Sequence, residues 1–488
     1  MFVSLFLLSQ TANEAIMYSN NQLYGTARST SLGNAFGALA ADFTGVSINP
    51  AVGGTYRSSE YALTTGLHSF STKTFFENST MENEVQKLSL PNMHLMIVND
   101  FDEGPIRFSN WGIGYTQNNF FHQKSSFIGN TDGTIINRFL EELNEGDGIS
   151  YDQITDTYPF TNALAWEGYL INNVSNEDTT HFVGIYEGGV QTSGVRSIKG
   201  RQTNLVLNYG ANFNDNLFFG FTLGIPSIKY QYENTYAERD VDNVIDDFNS
   251  FYIQDEITSN ATGLYLQGGV IYQINRNFRL GSSYKTSTAY LFTDVYGSSI
   301  ISEFQNAQYD YSSPEGNFEY VLNTPSVWTN SLAVIFSKGL ISIDIDLIDY
   351  SIANYDLGAE SDNPDDWFYG ASLNQEISNV ASKSFNIRTG AELRVLELDN
   401  GYQSLRGGFA YNSSPYKADK EFLNADYSRT QISLGTGFRY EYFFIDFALS
   451  FSSSEDLNDL YELEDRLVPG VKRSYENSQA LVTVGWRY

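Results

Sequence analysis

Apolar residues recur at every second position along most of the chain. In "TNLVLNYGANF", Leu205, Leu207, Tyr209, Ala211 and Phe213 share one face, and Asn204, Asn208, Gly210 and Asn212 share the other. After the turn-forming "NDN", the run "LFFGFTLGI" repeats the pattern with Leu217, Phe219, Phe221, Leu223 and Ile225. "ISIDIDLI" sets Ile341, Ile343, Ile345 and Leu347 against Ser342, Asp344 and Asp346; "YFFIDFALSF" sets Phe443, Ile445, Phe447, Leu449 and Phe451 against Asp446 and Ser450. A soluble sandwich also alternates, but it turns its apolar face inward and its strands are usually shorter. These runs reach about ten residues, enough to cross a bilayer at a tilt. Backbone groups in lipid must all be paired, so a sheet crossing a membrane has to close on itself.

The pattern predicts an all-β chain, a 14-stranded antiparallel transmembrane β-barrel, with strands near 56–69, 88–98, 110–119, 198–210, 217–229, 260–273, 277–292, 323–337, 340–351, 382–396, 404–413, 428–439, 441–453 and 475–488. Short connections at 214–216, 274–277, 338–339, 398–401 and near Tyr440 alternate with long ones at 70–87, 120–197, 230–259, 293–322, 352–381, 414–427 and 454–474. Short turns at one end and long loops at the other are the habit of outer-membrane barrels, and place both termini on the periplasmic side. The last strand, "QALVTVGWRY", puts Trp486 and Tyr488 where an interfacial aromatic girdle would lie, and resembles the C-terminal assembly signal of such barrels.

Composition narrows the partners. The formal charge is −30, which disfavours nucleic acid, because phosphate binding needs clustered Lys and Arg. There is no cysteine, which removes disulfides and thiol chemistry. The N-terminus carries a short apolar run, Phe2 to Leu8, read as the end of a secretory signal peptide over 1–13. The expected location is therefore the outer membrane of a Gram-negative bacterium.

Acidic residues gather in the predicted loops at 241–248, 360–367 and 454–465, where they read as solvated charge and a docking surface for protein partners. None has EF-hand spacing, so calcium has little claim on them. The longest loop, 120–197, carries two helix-like apolar stretches: Phe139, Leu140 and Leu143 in the first, Phe160, Leu164 and Trp166 in the second. They could form a lid packed on itself or a groove for an apolar ligand. His68, His94, His122 and His181 share no metal spacing, and neither a GxSxG elbow nor a P-loop is present. No enzyme activity and no cofactor are expected, beyond a bound lipid, fatty acid or detergent.

Residues 24–63, "YGTARSTSLGNAFGALAADFTGVSINPAVGGTYRSSEYAL", add a different kind of evidence. Gly25-Thr26-Ala27-Arg28, Leu32-Gly33, Ala35-Phe36-Gly37-Ala38, Asp42 and Ser47-Ile48-Asn49-Pro50-Ala51 resemble the N-terminus of the long-chain fatty-acid transporter family, the FadL/TodX type, in its Bacteroidetes-like branch. The resemblance implies a plug at 14–54 inside a barrel at 55–488, and passive uptake of hydrophobic molecules. It implies a ligand path from the longest loop, 120–197, to a pocket beside the plug, and out sideways by a kinked third strand. It assigns Asn49, Pro50 and Ala51 to the plug element facing that exit, and Gly33, Phe36, Gly37, Asp42 and Phe43 to plug packing. Gly112 and Gly114 are kink candidates, with space for the plug as the competing reading. Arg28, Arg57 and Arg107 are head-group candidates by location. Relatives of this family also serve as non-transporting scaffold or shuttle subunits in larger outer-membrane assemblies, which is the rival expectation.

Overall fold

The computed structural model describes residues 10–20, 22–358, 364–417, 426–463 and 467–488. The apolar run Phe2 to Leu8, and parts of the acidic stretches 360–367 and 454–465, lie outside the described residues. Fourteen antiparallel strands form the wall. They are β1 (Glu60–Phe76), β2 (Ser79–Asp100), β3 (Ile106–Phe120, resuming as Gln123–Thr131), β4 (Val190–Phe213) and β5 (Leu217–Arg239). Then come β6 (Phe248–Gln273), β7 (Phe278–Lys285, resuming as Ala289–Phe304), β8 (Gln308–Ser312, Gly316–Asn323 and Val327–Ile335) and β9 (Gly339–Asp349, resuming as Asn354–Asp356). The last five are β10 (Lys383–Leu398), β11 (Gly401–Asn412), β12 (Arg429–Tyr440), β13 (Phe443–Asp459) and β14 (Gly470–Arg487). The sheet closes where β14 pairs with β1, from Glu60 opposite Arg487 to Phe75 opposite Lys472. Closure removes the free edges that lipid would not tolerate.

The alternation resolves as expected. Leu205, Leu207, Ile341, Ile343, Ile345, Leu449 and Phe451 are exposed on the outer face, while Asn204, Asn208, Ser342, Asp344 and Asp446 are buried inside. Trp486 stacks on Tyr61 with ring centroids 5.3 Å apart, on the exposed rim near the short turns.

Much of what reads as long loop is strand. The 70–87 connection is a hairpin whose register runs on to Phe76 opposite Ser79, and β5 and β6 pair out to Arg239 opposite Ser250. These extensions, such as "STMENEVQK" and "YQYENTYAER", have polar residues on both faces. Their outer face meets water rather than lipid and needs no apolar residues, so an outward hydrophobic alternation cannot mark them, although Tyr230 and Tyr236 are buried inside.

Residues 10–20 and 22–55 fill the lumen with short helices: α1 (Ala12–Ser19), α2 (Ala27–Ser31), α3 (Phe43–Ile48) and a 3₁₀ turn (Pro50–Thr55). Helices this short do not hold alone in water. Caps and the wall hold these. Thr11 and Glu14 cap α1 reciprocally, and Thr26 caps α2. Asp42 caps α3, and Asn49 caps the turn through the amide of Ala51.

Above the rim, α4 (Ile136–Leu143), α5 (Ile154–Thr157) and α6 (Asn162–Glu167) pack together, and α7 (Pro364–Val380) covers the N-terminal segment. Phe139, Leu143 and Leu164 are buried in this loop core, with Leu140 and Trp166 packed against it. Phe160 sits on Tyr296 at 4.9 Å. The helical spacing is therefore spent on the lid's own core, since side chains that fill it cannot also line an open groove. Glu238 ties this lid to the rim, accepting from Thr134 Oγ1 (2.6 Å), the Ile135 amide (2.8 Å) and the hydroxyls of Tyr186 (2.6 Å) and Tyr236 (2.5 Å).

Candidate functional site

The wall has an interval between β2 and β3 where the two strands do not bond. Their ladder runs from Asp100 opposite Phe108 to Asn92 opposite Thr116 and stops there. Pro91 follows in β2 and has no N–H to donate. β3 bulges at Gln117–Asn119, breaks at Phe121–His122, and resumes paired to β4 alone. Higher up, β2 and β3 meet again through side chains, Asn83 Nδ2 donating to Ser126 Oγ at 2.8 Å.

The N-terminal segment occupies this interval. The amide of Gln22 donates to the Asn118 carbonyl and that of Tyr24 to the Gln117 carbonyl, each at 3.0 Å. The plug thus completes the β3 edge that β2 leaves open. Tyr24 is 5 % exposed and packs edge-on against Phe120 (4.7 Å) and His68 (5.5 Å). His68 bonds Ser89 Oγ of β2 at 2.7 Å, and Phe70 and His122 complete the aromatic lining.

Asn49, Pro50 and Ala51 lie elsewhere, on the inner face of β5 to β7. Asn49 Nδ2 donates to the Gly37 carbonyl (2.8 Å) and to the Val270 carbonyl of β6 (3.1 Å). The wall answers with glycine. A Cβ on Gly220 would fall 2.2 Å from the Pro50 carbonyl oxygen, and one on Gly269 would fall 2.0 Å from Asn49 Oδ1. At Gly220 backbone meets backbone, and at Gly269 the Asn49 side chain and Pro50 ring meet the backbone; both approaches need glycine. The segment at the interval is Gln22–Tyr24, twenty-five residues before the Asn-Pro-Ala element, so the placement implied by the resemblance does not hold here.

Gly112 and Gly114 prove to be seats rather than kinks. β3 is regularly paired on both sides at these positions, and Phe43 fills the space their missing side chains leave, stacking on His94 at 4.7 Å. The bend comes at 117–122. Gly33 takes a left-handed φ of +63° and lies against the backbone of Phe409 in β11. The amides of Phe36 and Gly37 both donate to Asp344 Oδ2, at 2.8 and 2.9 Å. Asp42 accepts from Thr26 Oγ1 (2.7 Å) and the Thr44 amide (2.9 Å), and burial pushes its carboxyl up despite them.

The head-group candidates are all engaged or remote. Arg28 Nε bonds Glu392 of β10 at 3.0 Å, joining a buried ladder. From Glu392 the ladder runs through Arg406 to Asp446 and Arg439 on β11 to β13. Arg57 pairs with Asp215 at the exposed turn end, and Arg107 is exposed beside the Asp102 carbonyl. Lys285 of β7, which sequence reading passed over, is an inward lysine in no ion pair among the described residues. It faces the lumen between the plug and α1, with Nζ 4.2 Å from the Tyr265 ring centroid and no acidic partner among the described residues. Tyr265 accepts from Asn204 Nδ2 at 2.7 Å, and the Asn204 carbonyl oxygen has no partner among the described residues. No sequence signal separates Lys285 from other lysines except its inward phase, two residues after Ser283.

Above Lys285, α1 lies in an aromatic nest. Tyr18 meets Phe292 (4.8 Å), Tyr230 (5.7 Å) and Phe121 (6.0 Å). Glu14 faces Asp294, and removal from water, then that neighbouring charge, push its carboxyl well above the ordinary range.

Neither a family model nor a curated protein matches the chain. Solved structures do. A Pseudomonas aeruginosa FadL homologue superposes with a TM-score of 0.55 at 12 % identity, over 95 % of this chain and 98 % of its own. The Pseudomonas putida toluene transporter TodX gives 0.51 at 12 % identity, over 96 % and 99 %. The fold is that of the FadL-type barrels, down to a lumen segment ahead of the first strand.

Proposed function

We propose that this chain, an outer-membrane barrel with the fold of the FadL-type channels, passes apolar molecules from outside into the bilayer through the interval between β2 and β3. The observation that carries the reading is the β3 edge at Gln117–Asn118, completed by Gln22 and Tyr24 of the plug instead of by β2. When those residues leave, the wall opens sideways into lipid rather than downward into water. The ladders of β2 with β1 and β3 with β4 stay intact, so the barrel survives the opening. Lateral release is favourable for an apolar cargo, by about 0.8 kcal/mol per methylene removed from water.

A molecule descending from the loops meets α1 first, so α1 shifts with the plug. It then meets Lys285, set among aromatic and amide groups. A long-chain carboxylate suits that surrounding, its head on Lys285 and its chain along the aromatic lining at Phe70, Phe120 and Tyr24. Neutral aromatic compounds are the second class, because the same lining takes them without the lysine.

The test is uptake of labelled long-chain fatty acid, and separately of toluene, into vesicles holding the protein. Plug disruption by Asn49→Ala with Pro50→Gly should change the rate while the barrel still assembles. Rates equal to protein-free vesicles for both cargoes, with the plug intact or disrupted, would remove the proposal.

A further inference from the structure

The stretch of wall that receives the plug tip has a second face. On the outer surface of β2 to β8 lies an apolar groove of about 1060 Å³. Leu95, Ile113, Leu207, Phe221, Leu266 and Trp328 line it, and among the described residues no charged side chain does. Phe221 and Leu266 are 63 % and 59 % exposed, facing lipid by the strand alternation. Gly268 lies in the floor. Its phase is outward, and a Cβ there would meet only the Phe221 ring, at 3.7 Å. The missing side chain is depth in the groove. One wall is held rigidly: Trp328 Nε1 donates to Ser282 Oγ at 3.0 Å, and that hydroxyl donates to Asn330 Oδ1 at 3.1 Å. Trp111, another lining residue, is fixed against Tyr209 at 4.8 Å. Behind the floor, Gly220 and Gly269 touch the plug tip, so a single backbone layer separates plug from groove.

The groove sits low. Phe219, Phe221 and Leu223 follow directly on the short turn at 214–216, within about 20 Å of strand length at ~3.3 Å per residue. The short turns are periplasmic, so this is the periplasmic half of the apolar band. Acyl chains of that leaflet are what surround it.

We propose that this groove is a preformed seat for the acyl chains of a periplasmic-leaflet phospholipid. Bulk lipid is as apolar as the groove, so no hydrophobic gain drives the chains in. What favours the seat is contact. A chain in a recess has protein atoms on three sides at van der Waals distance, and rigid aromatic walls lose little freedom in holding it. Affinity therefore depends on shape, and filling the floor destroys it.

The experiment uses the full chain in vesicles of unlabelled phospholipid doped with phosphatidylethanolamine brominated along its chains, which quenches indole on contact. Trp166, Trp367 and Trp486 are replaced by phenylalanine, leaving Trp111 and Trp328 as reporters. Quenching is expected to saturate at a mole fraction severalfold below that of random lipid contact. Gly268→Leu should return it to the random dependence, while Gly407→Leu, outward on β11 with only Leu434 and Ser433 nearby, should not. Phe221→Ala, which widens the groove, should weaken quenching as well, and it serves if Gly268→Leu fails to assemble. Random-contact quenching in the parent, or quenching unaltered by both groove variants, overturns the proposal. Stronger saturation by a brominated free fatty acid than by the phospholipid overturns it in favour of cargo. Cross-linking of two chains through Trp328 overturns it in favour of a second copy.

Discussion

Tyr24→Ala tests the sideways opening directly. The ring is almost wholly buried, between Phe120 and His68, and truncating a buried aromatic to alanine costs about 3–5 kcal/mol. That cost falls on seating the plug at the interval. The β-ladders of the wall do not use the ring. Taking the low end, ~3 kcal/mol raises the unseated fraction by about a hundredfold. The two backbone bonds to Gln117 and Asn118 remain chemically possible, but they lose the contact that holds them in register. Hydrogen exchange should therefore show faster exchange at the Gln22 and Tyr24 amides, with the β1 and β14 amides unchanged. Uptake of labelled fatty acid should rise in the same variant. Tyr24→Phe, which keeps the ring, should behave as the parent. Unaltered exchange at Gln22 and Tyr24, or loss of protection throughout the barrel, would refute the assignment of this segment as the closing element.

Other outcomes follow from the same geometry. Lys285→Met should weaken binding of a long-chain carboxylate about tenfold or more, as expected for a charge-assisted bond of ~1.5–3 kcal/mol, and leave its methyl ester unaffected; displacement of a fluorescent fatty acid measures both. Gly220→Ala drives a methyl into the Pro50 carbonyl, so the plug tip should shift at a cost of about 1–3 kcal/mol and become sensitive to protease, while Gly407→Ala should not. Asp344→Ala strands the buried amides of Phe36 and Gly37 at about 1–3 kcal/mol each, loosening the plug without unfolding the barrel, readable as plug proteolysis beside unchanged gel mobility. The raised carboxyl of Glu14 predicts a pH dependence for α1. Its seating is firm while the group is protonated, and is lost as pH rises through the raised folded value; exchange at Ile16–Ser19, corrected for intrinsic rates, should accelerate with pH in the parent but not in Glu14→Gln.

The barrel was legible because lipid imposes period 2 on every strand. The inward run Ser342, Asp344, Asp346 and the outward run Ile341, Ile343, Ile345 could only be one wall between two solvents. The extensions above the membrane were illegible for the complementary reason: with water outside, "YQYENTYAER" needs no outward apolar run, and its inward Tyr230 and Tyr236 pack against plug and lid instead. Helical spacing in the 120–197 loop marked Phe139, Leu143 and Leu164 as apolar faces but left lid core and ligand groove open, because spacing alone cannot tell the two apart; the structure buries them in the lid.

The site was decided by contacts distant in sequence. Gln22 and Tyr24 find β3 nearly a hundred residues away, and nothing in "NQLYG" says which strand edge lacks a partner. Arg28, a plausible carboxylate clamp by location, is consumed by Glu392, 364 positions on. Lys285 is left without an ion pair because no acid faces it among the described residues. Alternation is local and survives in the sequence, so it was enough to specify a closed membrane barrel, while the lumen segment ahead of it came only from the resemblance of residues 24–63. Which strands part, which charges cancel and where the plug tip rests depend on closure, which brings distant parts of the chain together and leaves no local trace in the sequence.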